Sequence, residues 1–463
     1  MAGTTQPDRS EGPLLRPCVQ RRERLVSATT AIAALDKVAE LQRALYRAAK
    51  ASPDRRFHAL YDKVHRRDVL WRAWANVARN GGAAGIDGVT ITMIEEAGVT
   101  GFLDDLAVEL AAGAWRPTPV RRVEIPKPDG STRPLGIPTI RDRVVQAALK
   151  IVLEPVFEAD FHPNSFGFRP KRSAHHALNT IMDEAWGGRR VVVEADIASF
   201  FDEVDHDILL SALAERVVDR KILKAIRALL GAGAFVGEQL LSTETGTPQG
   251  GVISPLLANV YLHRLDREWE RRHRGLGRLI RYADDLVIVC KYESQAARAL
   301  VVLQQELARL KLRVQPAKTR VVNLKHGEGF DFLGFHLRWV ASRHRPGVHF
   351  LARWPSRRAM ARARDRIRGL TARTLLSRPV EAVVGSINRF LRGWGAYFRH
   401  GNSAASFDAI EYFVTERMVL FISNKHQKRG RWFGRRVLFG SPTRLGLVRL
   451  AGTVLAPRPN RWR

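Results

Sequence analysis

The segment "RLIRYADDLVIVC", Arg278–Cys290, restricts what this chain can fold into more than any other stretch. Two short apolar runs, Leu279–Ile280 and Leu286–Val289, flank a pair of adjacent aspartates, and the second run is rich in β-branched residues. The pattern predicts a strand, a tight turn and a second strand, with Asp284 and Asp285 at the tip. Because Asp is also a common turn residue, the hairpin by itself establishes no function.

The charge of the chain indicates a polyanionic partner. Its 463 residues carry a formal net charge of +30, and an excess of Lys and Arg creates a field that attracts nucleic acid. Residues 341–463 hold 26 Lys and Arg against 5 Asp and Glu, and most of these cations are arginines, whose planar fork suits phosphate. A charged surface that served only solubility would mix the two signs, so we predict nucleic-acid binding.

Length and cysteine content limit the class of protein. The length exceeds what one hydrophobic core usually supports, which predicts two to four structural units. The two cysteines, Cys18 and Cys290, are too few for a disulfide framework or a Cys-based zinc site. The first residues lack the order of a signal peptide, and no apolar stretch is long enough to span a membrane. We therefore expect a soluble, nucleic-acid-associated protein of the bacterial cytoplasm with no membrane partner.

Periodic patterns predict the elements around the hairpin. Apolar residues at three- and four-residue steps predict helices, β-branched runs predict strands, and Ser or Asp before an apolar run predicts a helix cap. The predicted elements are helices over 29–49, 57–80, 141–153 and 294–312, extended segments on both sides of a turn at 126–130, a strand ending at Asp196, and caps at Ser173 and Asp205. This order predicts an α+β body followed by an all-helical basic module.

The stretch "VEAVVGSINRFLRGWGAYF" represents that basic module. Its apolar residues, from Val383 to Phe398, recur with a period near 3.6, so we assign them to the core rather than to a platform for base stacking. Arg389, Arg392 and Arg399 lie off this stripe. They are the candidate phosphate contacts of the module.

A third acid turns the hairpin into a candidate site. Asp196 ends a β-branched run, and two strand ends that carry Asp196 and Asp284 could meet in one antiparallel sheet. Carboxylates that close repel each other unless a cation compensates, and Mg²⁺ is typically held by one or two carboxylates together with substrate phosphates. Two such ions, roughly 3.5 to 4 Å apart, can activate a 3′ hydroxyl and stabilise a leaving pyrophosphate, which is polymerase chemistry. The alternative for Asp196 is a structural ion pair.

Nine motifs follow one another in order along the chain. They are "GGAAGIDGVTI", "IPKPDGSTRPLGIP", "NSFGFRPKRSAHHAL", "EADIASFFDEVDHDIL", "GTPQGGVISPLLANVYL", "RYADDLVIV", "QPAKTRV", "FLGF" and "INRFLRGWGAYF". One such motif would be weak evidence, but nine in order are specific. On these motifs the chain resembles, from about Phe57 to about Lys428, the group II intron-encoded reverse transcriptases with a maturase module.

The resemblance implies a right-hand polymerase with fingers, a palm built on an antiparallel sheet, and a thumb. The implied parts are an N-terminal extension over 1–53, fingers over 54–185, a palm over 186–340, a thumb and maturase domain over 341–428, and a basic tail over 429–463. Many relatives append a zinc-supported H-N-H endonuclease, and because "LAPRPNRWR" contains no cysteine pair we expect the form without it.

The resemblance also implies roles for single residues. Asp196, Asp284 and Asp285 match the catalytic palm aspartates, which hold two Mg²⁺ ions, with Mn²⁺ as an alternative ion and the carbonyl of Ile197 as a further ligand. The residues that match the deoxynucleotide pocket are Lys127, Arg133, Gln249 and Phe201, of which the last would exclude a ribose 2′ hydroxyl unless it is plain core packing. The residues that match template, primer or RNA contacts are Arg169, Lys171, Arg172 and Lys318, besides the three arginines of the module.

The implied partners are intron RNA or an RNA template, a DNA primer or target, and deoxynucleotides. The implied activity is RNA-directed DNA synthesis together with assistance to intron splicing and retrohoming. The alternatives are a splicing-only maturase with a vestigial polymerase site, a free-standing reverse transcriptase adopted by the host, for instance for antiviral defence, and, more distantly, an RNA-dependent RNA polymerase. The oligomeric state is left open between monomer and homodimer.

Overall fold

The computed structural model describes residues 37–126, 132–236, 239–241, 245–246, 250–342 and 345–456. These fall into two compact units, one within 1–161 and 199–264 and the other within 162–198 and 265–463. Among the described residues, no helix combines the length and the apolar character needed to cross a bilayer.

Helices and strands are interspersed along the chain, with runs of helices at both ends of the described residues. The helices are α1 (37–51), α2 (Tyr61–Val64), α3 (Arg67–Asn80), α4 (Ile91–Ala97), α5 (Val99–Ala112), α6 (Ile140–Glu158), α7 (Ala174–Trp186), α8 (Phe200–Glu203), α9 (His206–Ala214), α10 (Arg220–Leu230), α11 (Ser254–Glu268), α12 (Glu293–Arg309), α13 (Arg357–Leu370), α14 (Val380–Phe398), α15 (Ala404–Lys425) and α16 (Trp432–Gly440). The strands are β1 (Val120–Pro126), β2 (Thr132–Ile137), β3 (Val191–Asp196), β4 (Ala234–Val236), β5 (Gln239–Leu241), β6 (Arg278–Tyr282), β7 (Asp285–Cys290), β8 (Arg320–Asn323), β9 (Gly329–Phe332), β10 (Phe335–Ala341) and β11 (His349–Pro355).

The first unit is mainly helical and carries a sheet of order β2-β1-β4-β5. Strands β1 and β2 pair antiparallel from Arg121↔Ile137 to Pro126↔Thr132, so the predicted pair of extended segments is confirmed, while the turn between them lies outside the described residues. Helix α6 is buried along most of its length, and its Asp142 accepts hydrogen bonds from the Trp115 indole at 3.2 Å and the Thr118 amide at 3.0 Å.

The second unit is built on a sheet of order β6-β7-β3-β8, in which neighbouring strands pair antiparallel. Strands β3 and β7 are central and mostly buried, as expected for strands covered on both faces. A second sheet has the order β11-β10-β9. Side chains of both sheets, of α7 and of α13–α16 share one hydrophobic core.

The predicted core stripe of α14 is confirmed. Five of its apolar side chains are buried, and Phe390, Trp394 and Tyr397 pack against the same core. Both predicted caps are also confirmed, since the Ser173 hydroxyl accepts the His176 amide at 3.4 Å and Asp205 accepts the Ile208 amide at 2.9 Å. A short polar side chain that satisfies a free amide of the first turn is a local feature, which explains why sequence alone predicts it.

Other elements differ in their bounds from the prediction. Helix α6 runs to Glu158, five residues beyond the predicted end, because its apolar pattern continues into a fully buried segment. Strand β11 lies inside the range 341–428 that was assigned to an all-helical module, so the all-helical description holds only from Arg357 onward. The predicted helix start at residue 29 lies outside the described residues.

Candidate active site

Asp196 and Asp285 lie side by side on neighbouring strands of the second unit. The antiparallel register of β3 and β7 pairs Asp196 with Asp285, one step beyond the pair Ala195↔Leu286. Strand β7 is also joined to β6 through the pair Tyr282↔Asp285, which leaves Ala283 and Asp284 as the two residues of the turn. The predicted hairpin is confirmed, with the difference that Asp285 begins a strand and only Asp284 belongs to the turn.

The carboxylate of Asp285 stands in an unfavourable electrostatic environment. Burial among protein atoms, followed by the negative charges of Asp284 and Asp196, raises its pKa to about 7, although solvent reaches the residue from the cleft. Lys318 opposes this shift, and its Nζ lies 2.5 Å from Oδ2 of Asp196. The side chain of Lys318 is 63% exposed, so this ion pair sits at the mouth of the site rather than beneath it.

A cleft of about 490 Å³ is lined by both aspartates and by basic side chains. The cations that line it are Lys318 and Arg320, which follow the hairpin in sequence, and Arg358 and Arg362 of α13. Cations and carboxylates that line one cleft suit a substrate that brings both phosphates and metal ions.

The motif "FLGF" forms the turn between β9 and β10 and lines the same cleft. Because Phe332 pairs with Phe335, Leu333 and Gly334 are the two turn residues, and both have positive φ, 51° and 80°. Positive φ at both positions is the requirement of a two-residue type I′ hairpin, which explains the glycine. The Tyr397 hydroxyl donates to the Leu333 carbonyl at 2.8 Å and ties the turn to α14.

A second cleft, of about 780 Å³, shares Arg320 and Asp331 with the first. It is lined by Arg338, by Arg357 and Arg364 of α13, and by Trp354, whose ring centroid lies 5.2 Å from that of His336. Shared lining residues make the two clefts neighbours in one basic surface. We call the second one the arginine cleft.

The donor set around the aspartates fits magnesium. Directly after β3, Ile197 forms an antiparallel bridge with Val314. The hydrogen bonds of this bridge use the carbonyl of Asp196 and the amide of Ala198, so they do not use the carbonyl of Ile197. In the described residues no three His, Cys, Asp or Glu side chains are gathered tightly enough to hold a metal on their own. Carboxylates, a backbone carbonyl and substrate phosphates are nevertheless the usual magnesium donors. Burial raises the pKa of Asp285 first and the negative charges of Asp284 and Asp196 raise it further, and a divalent cation would offset both effects.

The other predicted contacts of the second unit differ in exposure. Arg169 is buried, and its guanidinium donates to the carbonyls of His162 and Ser165, each at 2.6 Å, so it shapes its own loop. Lys171 and Arg172 are exposed on that loop. On α14, Arg389 and Arg392 are exposed, whereas Arg399 is half-buried.

Of the predicted nucleotide-binding residues, the structure describes Phe201 and Arg133, both in the first unit. Phe201, in α8, is half-buried, and its ring centroid lies 5.2 Å from that of Phe200. Lys127 and Gln249 lie outside the described residues. Arg133 stands in β2 opposite Ile125.

Sequence reasoning missed several residues around the site. Arg281 is completely buried beside Asp266, and Arg358 and Arg362 line the cleft, yet none was singled out. The available signal was Arg281 inside the apolar strand "RLIRY". A buried arginine almost always has a partner, so its position indicated a buried ion pair next to the hairpin turn. The α13 arginines carried no such signal among so many others.

Two family models match the chain, one over the part that carries the aspartates and one over the helices that follow. Residues 125–337, which include the three aspartates, match the model described as reverse transcriptase (RNA-dependent DNA polymerase). Residues 360–438 match the maturase-specific domain of group II introns. The chain is also 34% identical over 349 residues to the protein YkfC of Escherichia coli, covering 66% of this chain and 90% of YkfC.

This chain belongs to the group II intron-encoded reverse transcriptases. It is 41% identical over 219 residues to the group II intron-encoded protein LtrA of Lactococcus lactis, covering 46% of this chain and 35% of LtrA. An uncharacterized 91 kDa protein in the cob intron of Schizosaccharomyces pombe is 27% identical over 405 residues, covering 72% of this chain and 49% of that protein. As a group II intron-encoded reverse transcriptase, the chain falls in the enzyme class of RNA-directed DNA polymerases.

Proposed function

We propose that the chain copies RNA into DNA at the cleft lined by Asp196 and Asp285, with Asp284 in the adjoining turn, and that it binds the RNA of its own intron to assist splicing and retrohoming. The observation that carries the proposal is the strand register that pairs Asp196 with Asp285 beside the turn residue Asp284. The reverse transcriptase and maturase models, matched in one chain, support the two halves of the function.

The chemistry follows from the ligand set. Reverse transcriptases generally use divalent metals, and two Mg²⁺ ions would activate the primer 3′ hydroxyl and stabilise the leaving pyrophosphate. The residues proposed to hold these ions are Asp196, Asp284, Asp285 and the carbonyl of Ile197. Lys318 contributes a positive charge at the mouth of the cleft, which can orient phosphate without any proton transfer.

The nucleic acid is proposed to follow the basic surface of the second unit. A strand that leaves the aspartates along Arg320 would reach the arginine cleft, where Arg338, Arg357 and Arg364 can contact phosphates. The exposed cations proposed to contact intron RNA are Lys171, Arg172, Arg389 and Arg392, with Arg399 beside them. In this reading 54–185 form the fingers, 186–340 the palm and 341–428 the thumb and maturase region, with Lys127, Arg133 and Gln249 at the incoming nucleotide.

Primer extension tests the proposed function. Purified protein is expected to extend a DNA primer on an RNA template in the presence of Mg²⁺ and deoxynucleotides. Wild-type protein that is folded, yet inactive on several templates, would leave a splicing-only protein as the better account. Splicing of the intron RNA that flanks the coding sequence measures the second half of the proposal separately.

Phe201 is proposed as the sugar gate, because a ring under the ribose leaves no space for a 2′ hydroxyl. We expect Phe201→Ala to raise the ratio of ribonucleotide to deoxynucleotide kcat/KM by roughly 10- to 200-fold, the range in which pocket volume discriminates. Steady-state incorporation of each nucleotide measures this ratio. Phe200→Leu is the matched control. It replaces the buried neighbouring ring by a smaller apolar side chain, so it should change stability without changing the ratio of ribonucleotide to deoxynucleotide kcat/KM. An unchanged ratio in an active Phe201→Ala protein would assign Phe201 to core packing.

A further inference from the structure

The turn that carries Asp284 rests on a loop far away in sequence. The Arg281 amide donates to the Asn164 carbonyl at 2.9 Å, and the Phe166 amide donates to the Arg281 carbonyl at 2.9 Å. Through this short parallel bridge the loop "NSFG" lies along the edge of β6 up to the residue before the turn. The hairpin is therefore supported on its outer edge as well as by β3.

Glycine at position 167 allows this close approach. A Cβ atom there would overlap the amide nitrogen of Ala283 and lie 2.9 Å from the carbonyl carbon of Tyr282. Both of those groups are backbone, so neither can swing aside as a flexible side chain would. The loop and the turn are consequently in direct backbone contact.

Arg281 holds the same turn from inside the protein. Its side chain is fully buried, and its guanidinium forms a two-point ion pair with Asp266, with Nε to Oδ1 at 2.9 Å and Nη2 to Oδ2 at 2.5 Å. The remaining nitrogen, Nη1, donates to the carbonyl of Ala283 at 3.0 Å. The planar fork of arginine can make these contacts at once, which the single ammonium of lysine cannot.

Ala283 needs such support because its backbone is in an uncommon conformation. Its φ is 58°, in the left-handed region that residues with a Cβ rarely adopt. Strained backbone persists only where the surroundings determine it, and at this turn the hydrogen bond from Arg281 and the contact with Gly167 supply that determination. A relaxed turn would move Asp284, which follows directly, and would change the start of β7 at Asp285.

We propose that Arg281, fixed in place by Asp266, is a positioning residue that sets the carboxylate turn for catalysis. The proposal rests on the proposed polymerase function. Arg281 itself is proposed to make no contact with substrate. Its effect passes through the Ala283 carbonyl to Asp284 and Asp285, so its loss should weaken the use of metal rather than the binding of nucleic acid.

The decisive variant is the double substitution Arg281→Met with Asp266→Leu. It removes both charges, so neither is left buried and unpaired, and such replacements often preserve stability. It also deletes the hydrogen bond to the Ala283 carbonyl. We expect a melting temperature close to wild type, a kcat at least tenfold lower, a higher Mg²⁺ concentration for half-maximal rate, weaker Mn²⁺ binding by electron paramagnetic resonance, and an unchanged Kd for primer–template.

Two further variants keep the test decisive. Arg281→Lys retains a charge for Asp266 and should still lose kcat, which answers the question if the double variant does not fold. Arg353→Met is the matched control, because Arg353 is also buried and donates to a backbone carbonyl, that of His400 at 2.8 Å, which does not belong to the carboxylate turn. It should lower the melting temperature without changing the Mg²⁺ dependence.

The outcomes separate the two proposals. Inactive wild-type protein would overturn the polymerase function itself. Active wild-type protein with a double variant of equal kcat, equal Mg²⁺ dependence and equal Mn²⁺ binding would overturn only the positioning role of Arg281. A loss of kcat in the Arg353→Met control with the same shift in Mg²⁺ dependence would also overturn it, since the effect would then follow from general destabilisation.

Discussion

Replacing Asp284 by Asn is expected to lower the rate of nucleotide addition by roughly 100- to 1,000-fold or more, the effect of removing one preorganised electrostatic group from an active site. The substitution keeps the size of the side chain and removes its charge, so the acidic surface beside the Asp196–Asp285 pair holds metal less well. Single-nucleotide incorporation at saturating primer–template measures the loss. Binding of primer–template should be retained, because the contacts to phosphate lie on other residues.

Asp365→Asn is the matched control for this experiment. Asp365 is an exposed carboxylate of α13 in the same unit, paired with Arg368 at 2.5 Å, and its neutralisation should leave incorporation close to wild type. An Asp284→Asn protein that incorporates nucleotides at the wild-type rate would refute the assignment of the site. Retained splicing in the same variant would show that the maturase function does not require the polymerase chemistry.

Removing the arginines of the arginine cleft is expected to produce the second large effect. With Arg338, Arg357 and Arg364 all changed to Gln, the slope of log K against log salt for an RNA–DNA duplex should become shallower by about 2 to 3, because each phosphate contact contributes about 0.9 to that slope. Affinity at low salt should fall accordingly. Fluorescence anisotropy over a salt series measures both quantities, and kcat at saturating primer–template should change little.

The control set is Arg271, Arg272 and Arg274, changed to Gln in one protein. These arginines already face carboxylates, since the first two pair with Glu268 at 2.9 and 3.0 Å and the third with Glu270 at 3.7 Å. A cation that is neutralised by a neighbour releases few counterions when DNA binds. Equal losses of slope in both triple variants would mean that affinity follows net charge, and the arginine cleft would have no special part in binding.

Much of the local structure was predictable because short-range physics determines it. The β-branched run before Asp196, the hairpin around Ala283 and Asp284, and the caps at Ser173 and Asp205 depend on residues within a few positions of one another. The apolar stripe of α14 was equally predictable, since apolar residues with a 3.6-residue period indicate a helix that buries one face. The end of α6 and the strand β11 were not predicted, because both depend on packing against segments that are distant in sequence.

By itself, the sequence determined the hairpin, the helix caps, the motifs in their order and the cationic character of the chain, since each is a property of neighbouring residues or of composition. Only the tertiary structure decided that Asp196 stands opposite Asp285, and that the guanidinium of Arg281 pairs with Asp266 and donates to the Ala283 carbonyl. It also decided which of many arginines share a cleft. The physical reason is that strand register and buried ion pairs are chosen by the packing of distant segments, so identical local patterns lead to different contacts in different folds.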